Sequence, residues 1–239
     1  MTLSDKAVLV TGANRGIGAA LVEEALSRGA ARVYAAARRP VAHSDARVTA
    51  LRLDVTDAGQ IQHAVGEVES LDILVNNAGV ALYDDLSDRG VLEEHLAVNL
   101  FGTHAVTQAF LPLLAKAQGA VVNNLSLNAV APMPLIPAYS ISKAAAFNMT
   151  QALRALLHGQ VRVHAVLTGP VDTDMSRGVD MPKASAESVA RAIFDGVDQG
   201  AEEIFPDPMS QSMSRSWHSG VAKELERQYA GLLNTEPAR

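Results

Sequence analysis

The sequence contains no cysteine, so disulfide bonds and thiolate metal ligands are excluded. No uninterrupted apolar run approaches the roughly 20 residues that a membrane-spanning helix needs. No run of five or more basic residues occurs, and the net charge of -6 argues against nucleic acid as the main partner. Residues 1–6 lack the basic start and long apolar stretch of a signal peptide. These absences predict a soluble, cytoplasmic protein without a membrane or nucleic-acid partner.

Histidine does not supply a metal site in place of cysteine. The seven histidines are scattered, and none has the two-on-one-face spacing of a zinc-binding helix. We therefore predict no metal site.

The chain alternates short β-branched runs with longer Ala/Leu-rich stretches, which is typical of an α/β fold with a parallel sheet. With 239 residues, 48% of them hydrophobic, it can bury one substantial core, and we predict one domain over residues 1–239. Seven strands are predicted, at 7–10, 32–37, 48–53, 72–75, 120–125, 161–167 and 203–205. Helices are predicted at 17–28, 54–68, 91–117 with a kink or break at Pro112, 138–157, 186–199 and 221–233.

A glycine-rich segment lies between the first predicted strand and the first predicted helix. It places Gly12, Gly16 and Gly18 where the backbone can approach a pyrophosphate, while the helix amino terminus supplies unpaired N–H groups. The spacing differs from the commoner Gly-x-Gly-x-x-Gly. By itself the segment indicates either a nucleotide-binding loop or a tight strand–helix turn.

The end of the second predicted strand indicates which dinucleotide binds. NAD-binding domains place an acidic residue about 20 residues beyond the last glycine, where it binds the ribose 2′-hydroxyl. Here that region contains Arg38 and Arg39 and no acid. Arg38 can pair with a 2′-phosphate, and Arg15 can approach the same group, so NADP(H) is predicted in preference to NAD(H). The alternative is a pair of surface arginines after a strand.

Ser126, Tyr139 and Lys143 suggest acid–base chemistry. On a helix beginning near Ala138, Tyr139 and Lys143 are four apart and project from one face. A neighbouring ammonium is expected to lower the pKa of the phenol from about 10 towards neutrality. Ser126 follows an apolar strand and can donate a hydrogen bond to a substrate oxygen. The Tyr-x-x-x-Lys spacing alone is common on helices.

Together with Asn76-Asn-Ala-Gly79, these motifs resemble the short-chain dehydrogenase/reductase family, and the resemblance covers about residues 5–206. It implies a doubly wound, seven-stranded Rossmann fold and hydride transfer between a nicotinamide dinucleotide and a carbonyl or alcohol carbon. Tyr139 resembles the proton donor or base, Lys143 the residue that lowers its pKa and binds the nicotinamide ribose, and Ser126 the residue that polarises the substrate oxygen. Asn99 matches the asparagine that holds a water linking Lys143 to solvent, although it could also hydrogen-bond within its own helix.

The resemblance also implies a cofactor-binding set. Asp54 matches a contact to the adenine amino group, although it is also a good helix N-cap. Asn76 and Gly79 fall in the loop that flanks the adenine ribose and steadies the sheet, and Thr173 matches a residue near the nicotinamide carboxamide. The whole set is Gly12, Asn14, Arg15, Gly16, Ile17, Gly18, Arg38, Asp54, Val55, Asn76, Ala78, Gly79, Tyr139, Lys143, Gly169, Val171 and Thr173.

Two positions depart from the family pattern. Thr168 replaces the first residue of a usual Pro-Gly pair, which could loosen the loop over the nicotinamide. Leu127 stands where a second serine often follows, which makes the pocket more apolar.

The segments expected to line the substrate pocket are largely apolar and carry no arginine pair, which predicts a small apolar ketone, aldehyde or alcohol as substrate, unless these residues are ordinary packing. Residues 174–184 read as a short lid. The tail, 208–239, either covers a neighbouring subunit's pocket or caps the fold. The resemblance implies a homodimer or homotetramer.

These features predict an NADP(H)-dependent carbonyl reductase or alcohol dehydrogenase in which Tyr139 is the general acid or base. One alternative is a regulator that binds NADPH without catalysis, although such a protein has no need of Tyr139. Another is an isomerase or dehydratase, but relatives of that kind usually carry a larger C-terminal substrate domain, whereas about thirty residues follow Asp207 in this sequence.

Overall fold

The computed structural model describes residues 2–178 and 180–231, and its central feature is a parallel sheet with strand order β3-β2-β1-β4-β5-β6-β7. The strands are β1 (Ala7–Thr11), β2 (Arg32–Ala37), β3 (Val48–Arg52), β4 (Ile73–Asn76), β5 (Ala120–Asn124), β6 (Arg162–Val166) and β7 (Glu203–Ile204). The helices are α1 (Gly16–Ser27), α2 (Ala58–Glu67), α3 (Arg89–Leu96), α4 (Thr103–Ala117), α5 (Pro137–Leu156), α6 (Ala186–Gln199), α7 (Pro208–His218) and α8 (Val221–Gly231). The predicted doubly wound fold is confirmed.

The strands are apolar throughout because helices cover both faces of the sheet. Along β1, Val8 and Val10 pack in the core on the side of α1 and α6, whereas Leu9 packs in the core on the side of α2 and α4. This alternation follows from the two-residue period of a strand. Phe194 anchors the first core and Phe110 the second, and both are fully buried. Truncating either phenylalanine to alanine would cost about 3–5 kcal/mol of folding free energy.

The strand order reverses between β1 and β4, which opens a crevice at the carboxyl ends of the strands. Val10 pairs with Val75 across this boundary, and Asn76 pairs with Asn123 on the next strand. Because all the strands are parallel, the segments that follow β1, β4, β5 and β6 meet at one edge of the sheet. Open α/β sheets bind their ligands at this kind of crevice.

The helix predicted over residues 91–117 is divided, but not at Pro112. A π-helical turn, Ala97–Gly102, separates α3 from α4, and α4 runs through Pro112 without a break. A proline removes one helical hydrogen bond, and the packing of the fully buried Phe110 and Leu114 on the same helix offsets that loss. The irregular turn instead includes Gly102, which lies close to the segment after β3: a Cβ there would lie 2.6 Å from Cγ2 of Val55.

The tail contains a helix that was not predicted from the sequence. The predicted helix at 221–233 corresponds to α8, with residues 232 and 233 outside the described part of the chain, but α7 was not predicted. Its signal was present: Asp207 caps the helix and Pro208 occupies its first position. Trp217 of α7 packs on Phe147 of α5 with ring centroids 5.3 Å apart. The described part of the tail therefore packs on the chain's own fold.

Candidate active site

The glycine loop has the backbone geometry that a phosphate site requires. Gly12 and Gly16 have φ values of 65° and 53°, in the left-handed region that favours glycine. A Cβ on Gly18 would lie 2.1 Å from the Gly12 carbonyl oxygen. The N-cap residue of α1, Arg15, makes no side-chain capping hydrogen bond, and the first turn has no acidic residue. This uncapped amino terminus beside a side-chain-free cradle fits the pyrophosphate of a dinucleotide.

Thr11 and Asn77 hold the glycine loop against the end of β4. The Thr11 hydroxyl oxygen accepts hydrogen bonds from the main-chain N–H groups of Asn77 and Ala78, at 2.9 and 3.0 Å. Asn77 Nδ2 donates in return to the carbonyl oxygens of Thr11 and Gly12, at 3.0 and 3.3 Å. No role was predicted from the sequence for the side chain of Thr11 or of Asn77. The repeated asparagine in Asn76-Asn77 was the only local signal.

The residues predicted for the adenine end are brought to the same edge of the sheet. Arg38 follows β2 and its side chain is exposed, as is that of Asn14 in the glycine loop. Asp54 follows β3, and its Oδ1 accepts from the N–H and the hydroxyl of Thr56 at 3.0 and 2.8 Å. Asp57, and not Asp54, caps α2, so the alternative role for Asp54 is wrong.

Four further predicted cofactor residues support the crevice from below or beside it. Ile17 is partly buried against the core beneath α1, and Val55 is buried against Gly102. A Cβ on Gly12 would lie 2.9 Å from Cα of Ala78, so these two segments are in close contact. The side chain of Asn76 points into the core, where Nδ2 donates to Thr107 Oγ1 and Asn123 Oδ1, each at 2.9 Å. Asn76 therefore steadies the sheet, and its side chain does not reach the crevice.

Ser126, Tyr139 and Lys143 come together beside the crevice. Ser126 follows β5, and its hydroxyl oxygen accepts from the N–H of Asn128 at 3.1 Å. Tyr139 and Lys143 lie on the first turns of α5 and are only 8% and 6% exposed. Lys143 Nζ lies 5.7 Å from the centroid of the Tyr139 ring and donates a 2.9 Å hydrogen bond to the carbonyl oxygen of Asn124.

The pKa of Tyr139 is not lowered towards neutrality in this structure, contrary to the expectation from its spacing to Lys143. Burial raises the pKa of Tyr139 to about 12, and a hydrogen bond with Ser126 lowers it only in part. Burial also lowers the pKa of Lys143 to about 8. The physical reason is that a low-dielectric surrounding disfavours the charged form of each group, which the spacing of residues along a helix cannot reveal.

Asn99 lies at the π-helical turn and joins this turn to the loop after β4. Its Oδ1 accepts from the Val80 N–H at 2.9 Å, and its Nδ2 donates to the Val80 carbonyl at 3.0 Å and to Ser142 Oγ at 2.9 Å. Its side chain therefore does not bond within its own helix. A Cβ on Gly79 would lie 3.1 Å from Asn99 Oδ1 and 3.7 Å from Lys143 Nζ.

The segment after β6 faces the glycine loop across the crevice. A Cβ on Gly16 would lie 3.1 Å from Cγ2 of Thr173. Val171 pairs with Ala184 in an isolated bridge, which closes the segment between them into a loop. Gly169 donates its N–H to Asp207 Oδ2 at 2.7 Å, so the tail helix α7 begins at this loop.

Two residues that the sequence reading missed position the amino end of α5. The N-cap residue of α5, Ile136, has no side-chain acceptor, and both carboxylate oxygens of Asp84 lie 3.2 Å from the Ala138 nitrogen. His95 is fully buried, accepts from the Leu82 N–H at 3.1 Å and lies edge-on to Tyr139 with ring centroids 6.3 Å apart. An apolar N-cap before Pro137 was the only sequence signal that another segment supplies the cap.

Exposed apolar side chains occur in the loops at the same edge of the sheet. They lie in the loops after β4, β5 and β6 and include Leu82, Tyr83, Met133, Leu135 and Met175. Within residues 2–178 and 180–231, no three His, Asp or Glu side chains gather in a way that could hold a metal ion. Over the same residues, no helix combines the length and apolar character needed to cross a membrane.

Comparison with known proteins gives a consistent result. The family described as "short chain dehydrogenase" matches residues 6–183. The chain is 31% identical over 223 residues to 11-beta-hydroxysteroid dehydrogenase-like 3 of Arabidopsis thaliana, covering 83% of this chain and 72% of the relative. It is 33% identical over 199 residues to estradiol 17-beta-dehydrogenase 2 of Mus musculus, covering 76% of this chain but only 52% of the relative. The chain thus spans about half the length of the mouse protein.

A solved structure resembles the whole fold. It is a short chain dehydrogenase from Burkholderia cenocepacia J2315 in complex with NADP, with a TM-score of 0.87 and 34% identity. The similarity covers 95% of this chain and 98% of the other. This chain therefore belongs to the short-chain dehydrogenase/reductase family of oxidoreductases.

Proposed function

We propose that this protein is an NADP(H)-dependent oxidoreductase that reversibly reduces an apolar ketone or aldehyde to the alcohol. The observation that carries the proposal is the buried Tyr139 phenol, hydrogen-bonded with Ser126 and adjacent to Lys143 at the crevice. When bound, the dinucleotide supplies the hydride that goes to the carbonyl carbon. The carbonyl oxygen takes one proton, so that carbonyl, NADPH and H⁺ become alcohol and NADP⁺.

The proton comes from Tyr139. Its pKa of about 12 keeps the phenol protonated at neutral pH, which is the form that donates during reduction. Ser126 donates a hydrogen bond to the substrate oxygen as negative charge develops there. Lys143, with a pKa of about 8, remains largely charged at pH 7 and electrostatically stabilises the phenolate that proton transfer leaves.

The cofactor assignment rests on Arg38 and the glycine loop. Arg38 is exposed at the end of β2, in the position from which a guanidinium meets a ribose 2′-phosphate. The Burkholderia structure with NADP supports the same preference. Thr173, Val171 and Gly169 would flank the nicotinamide.

The substrate class rests on the apolar rim. Tyr83, Leu135 and Met175 are 72%, 65% and 54% exposed, an arrangement that favours a hydrophobic ligand. The plant and mouse relatives are named for hydroxysteroid and estradiol substrates, which are bulky apolar alcohols. We propose residues 174–184 as a lid over this rim, which an exposed Arg15–Asp174 contact of 3.4 Å links to the glycine loop.

We further propose a cytoplasmic homodimer or homotetramer built from one domain, 1–239. Phe101 and Ile141, on the helical segments that carry Asn99 and Tyr139, are 62% and 42% exposed and support an interface there. The second candidate function, a sensor that binds NADPH without turnover, is favoured only by the high pKa of Tyr139, which leaves very little phenolate to act as the base in alcohol oxidation.

The test measures NADPH and NADH oxidation with aliphatic and aryl ketones, aldehydes, quinones and steroids, together with equilibrium binding of both dinucleotides. We expect NADPH consumption with an apolar carbonyl and a loss of about 10²–10⁴-fold in Tyr139→Phe at unchanged NADPH affinity. An active Tyr139→Phe variant would exclude Tyr139 as the proton donor. NADPH binding without turnover of any carbonyl would favour the sensor.

A further inference from the structure

Three polar side chains form a continuous hydrogen-bonded chain across the carboxyl ends of four strands. Thr168, after β6, donates its hydroxyl to Asn124 Oδ1 at 2.8 Å. Asn124, at the end of β5, donates Nδ2 to Asn77 Oδ1 at 2.9 Å. Asn77, after β4, donates Nδ2 to the carbonyls of Thr11 and Gly12, at 3.0 and 3.3 Å. The chain thus connects the loop after β6 with the glycine loop after β1.

The direction of every hydrogen bond in this chain is determined by its chemistry. Main-chain carbonyls only accept, so Asn77 presents its NH₂ group to them and its oxygen to Asn124. Asn124 then presents its own NH₂ to Asn77 and its oxygen to residue 168. Only a donor at position 168 completes the chain, and the Thr168 hydroxyl is one. The proline that the family usually carries at this position has no donor.

Burial makes the Asn124 and Thr168 side chains depend on each other. Asn124 and Thr168 are 9% and 5% exposed, so water cannot readily replace a lost partner. An unpaired buried amide oxygen keeps the full cost of its desolvation. Thr168, which departs from the family's usual proline, therefore forms a matched donor–acceptor pair with Asn124.

The same residues hold the candidate catalytic groups through their main chains. The carbonyl oxygen of Asn124 accepts from Lys143 Nζ at 2.9 Å. The carbonyl oxygen of Thr168 accepts from the N–H of Leu127 at 3.0 Å, directly after Ser126. Displacement of Asn124 or Thr168 would therefore also move Lys143 or the Ser126 segment.

We propose that Thr168, Asn124 and Asn77 are positioning residues that fix the glycine loop relative to the loop after β6. β5 and β4 lie between β6 and β1, so the chain spans three strand spacings, about 14 Å. The hydrogen-bonded chain thereby fixes the distance between the two loops that a ligand extending from the glycine loop to the loop after β6 would contact. The identity of that ligand depends on the proposed function, whereas the hydrogen-bonded connection between the two loops does not.

The first test uses the protein without any ligand. Thr168→Val removes the hydroxyl and keeps the shape of the side chain, whereas Thr168→Ser keeps the hydroxyl and is the matched control. Amide hydrogen exchange is measured for residues 11–18, about 14 Å away from the substitution. We expect exchange there to be about fivefold faster in Thr168→Val and within about twofold of the wild type in Thr168→Ser. Equal exchange in the two variants would overturn the proposal.

The second test asks whether the effect travels through Asn124. Asn124→Leu removes the acceptor for residue 168. In this background, Thr168→Val and Thr168→Ser should have the same effect on amide exchange in the glycine loop. Circular dichroism and thermal unfolding establish that each variant is folded. An equally large effect of Thr168→Val in both backgrounds would exclude the chain as the link.

The third test connects the chain to ligand binding. Adenosine 2′,5′-bisphosphate lacks the nicotinamide half of NADPH and engages the glycine-loop side alone. We expect Thr168→Val to weaken its binding about fivefold by calorimetry, and Thr168→Ser to leave it within about twofold. A loss confined to whole NADPH would assign Thr168 a local role and overturn the proposal. If the wild type binds neither ligand, the proposed function fails, and hydrogen exchange alone decides on the chain.

Discussion

Lys143 Nζ lies 5.7 Å from the centre of the Tyr139 ring, and both side chains are almost completely buried. Burial acts on the two groups in opposite directions, raising the pKa of Tyr139 to about 12 and lowering that of Lys143 to about 8. Each shift favours the neutral form. The proton therefore resides on the phenol across the physiological range, which suits reduction better than oxidation.

Lys143 should make the free energy of unfolding depend on pH in the alkaline range. Its pKa is about 8 in the folded protein against 10.5 in the unfolded chain, so between these values the unfolded state binds more protons and stability rises with pH. We expect the unfolding free energy of the wild type to rise relative to that of Lys143→Met between pH 8 and pH 10. The full difference in pKa corresponds to an effect on the order of 3 kcal/mol.

Urea unfolding at a series of pH values measures this difference. Lys116→Met, at an exposed lysine on α4, is the control and should show no such trend. The series stops near pH 10, because the raised pKa of Tyr139 makes stability fall at higher pH. A pH-independent difference between wild type and Lys143→Met would show that the pKa of Lys143 is not lowered.

Arg38 should decide the cofactor preference. We expect Arg38→Ala to lower kcat/KM for NADPH by about 10- to 100-fold, because a charge-assisted pair with the 2′-phosphate is lost, and to leave NADH within about threefold. Steady-state kinetics with both cofactors measures the ratio. Arg32→Ala is the control, since Arg32 is exposed at the opposite end of the same strand. An unchanged ratio in Arg38→Ala would remove Arg38 from the cofactor site.

Asp84 should matter for both stability and catalysis. It caps α5 at Ala138, one residue before Tyr139, so its loss frees the start of the helix that carries the proposed proton donor. We expect Asp84→Ala to lower the unfolding free energy by about 1 kcal/mol and kcat by about tenfold or more. Asp84→Asn, which keeps one acceptor oxygen, should recover most of both.

Asp85→Ala tests whether removing another acidic residue of this loop lowers the unfolding free energy and kcat as Asp84→Ala does. Asp85 is exposed and its Oδ1 accepts from the N–H of Ser87 at 3.0 Å, within the same loop and away from α5. Thermal unfolding and kcat should stay close to wild type in this variant. Equal losses in Asp84→Ala and Asp85→Ala would mean that loop integrity, and not the cap on α5, explains the effect.

The tail helix α8 should depend on one buried lysine. Lys223 is 1% exposed, and its Nζ lies 2.7, 3.0 and 2.8 Å from carboxylate oxygens of Glu202, Glu203 and Glu226. We expect Lys223→Met to cost about 3–5 kcal/mol, because it leaves the fully buried Glu203 side chain with less compensating charge. Chemical denaturation measures the change.

A surface ion pair supplies the comparison for Lys223. Arg89 and Glu93 are also 2.7 Å apart but are 88% and 60% exposed, so Arg89→Ala should change stability by less than about 1 kcal/mol. Combining Lys223→Met with Glu203→Gln should recover part of the loss. A lack of recovery would show that packing of the lysine stem, and not charge, dominates.

Much of the fold could be predicted because its signals are local. The apolar run of β1 followed by Gly12 indicated a buried strand and a turn, and α6 was predicted with its observed bounds, Ala186–Gln199. Tyr139 and Lys143 share a helix face because they are four residues apart. Arg38 could be placed at the carboxyl edge of the sheet because parallel strands end at the same edge.

The tertiary structure alone decided the environment of these residues. The pKa values of Tyr139 and Lys143 follow from burial by segments far away in sequence. The cap that Asp84 provides for α5 and the pairing of Thr168 with Asn124 each join residues more than forty positions apart. The close approach of Gly102, in the π-helical turn Ala97–Gly102, to Val55 likewise joins segments distant in sequence. Backbone preference and hydrophobic period are encoded within a few consecutive residues, whereas desolvation and long-range hydrogen bonds exist only once the folded chain brings distant segments into contact.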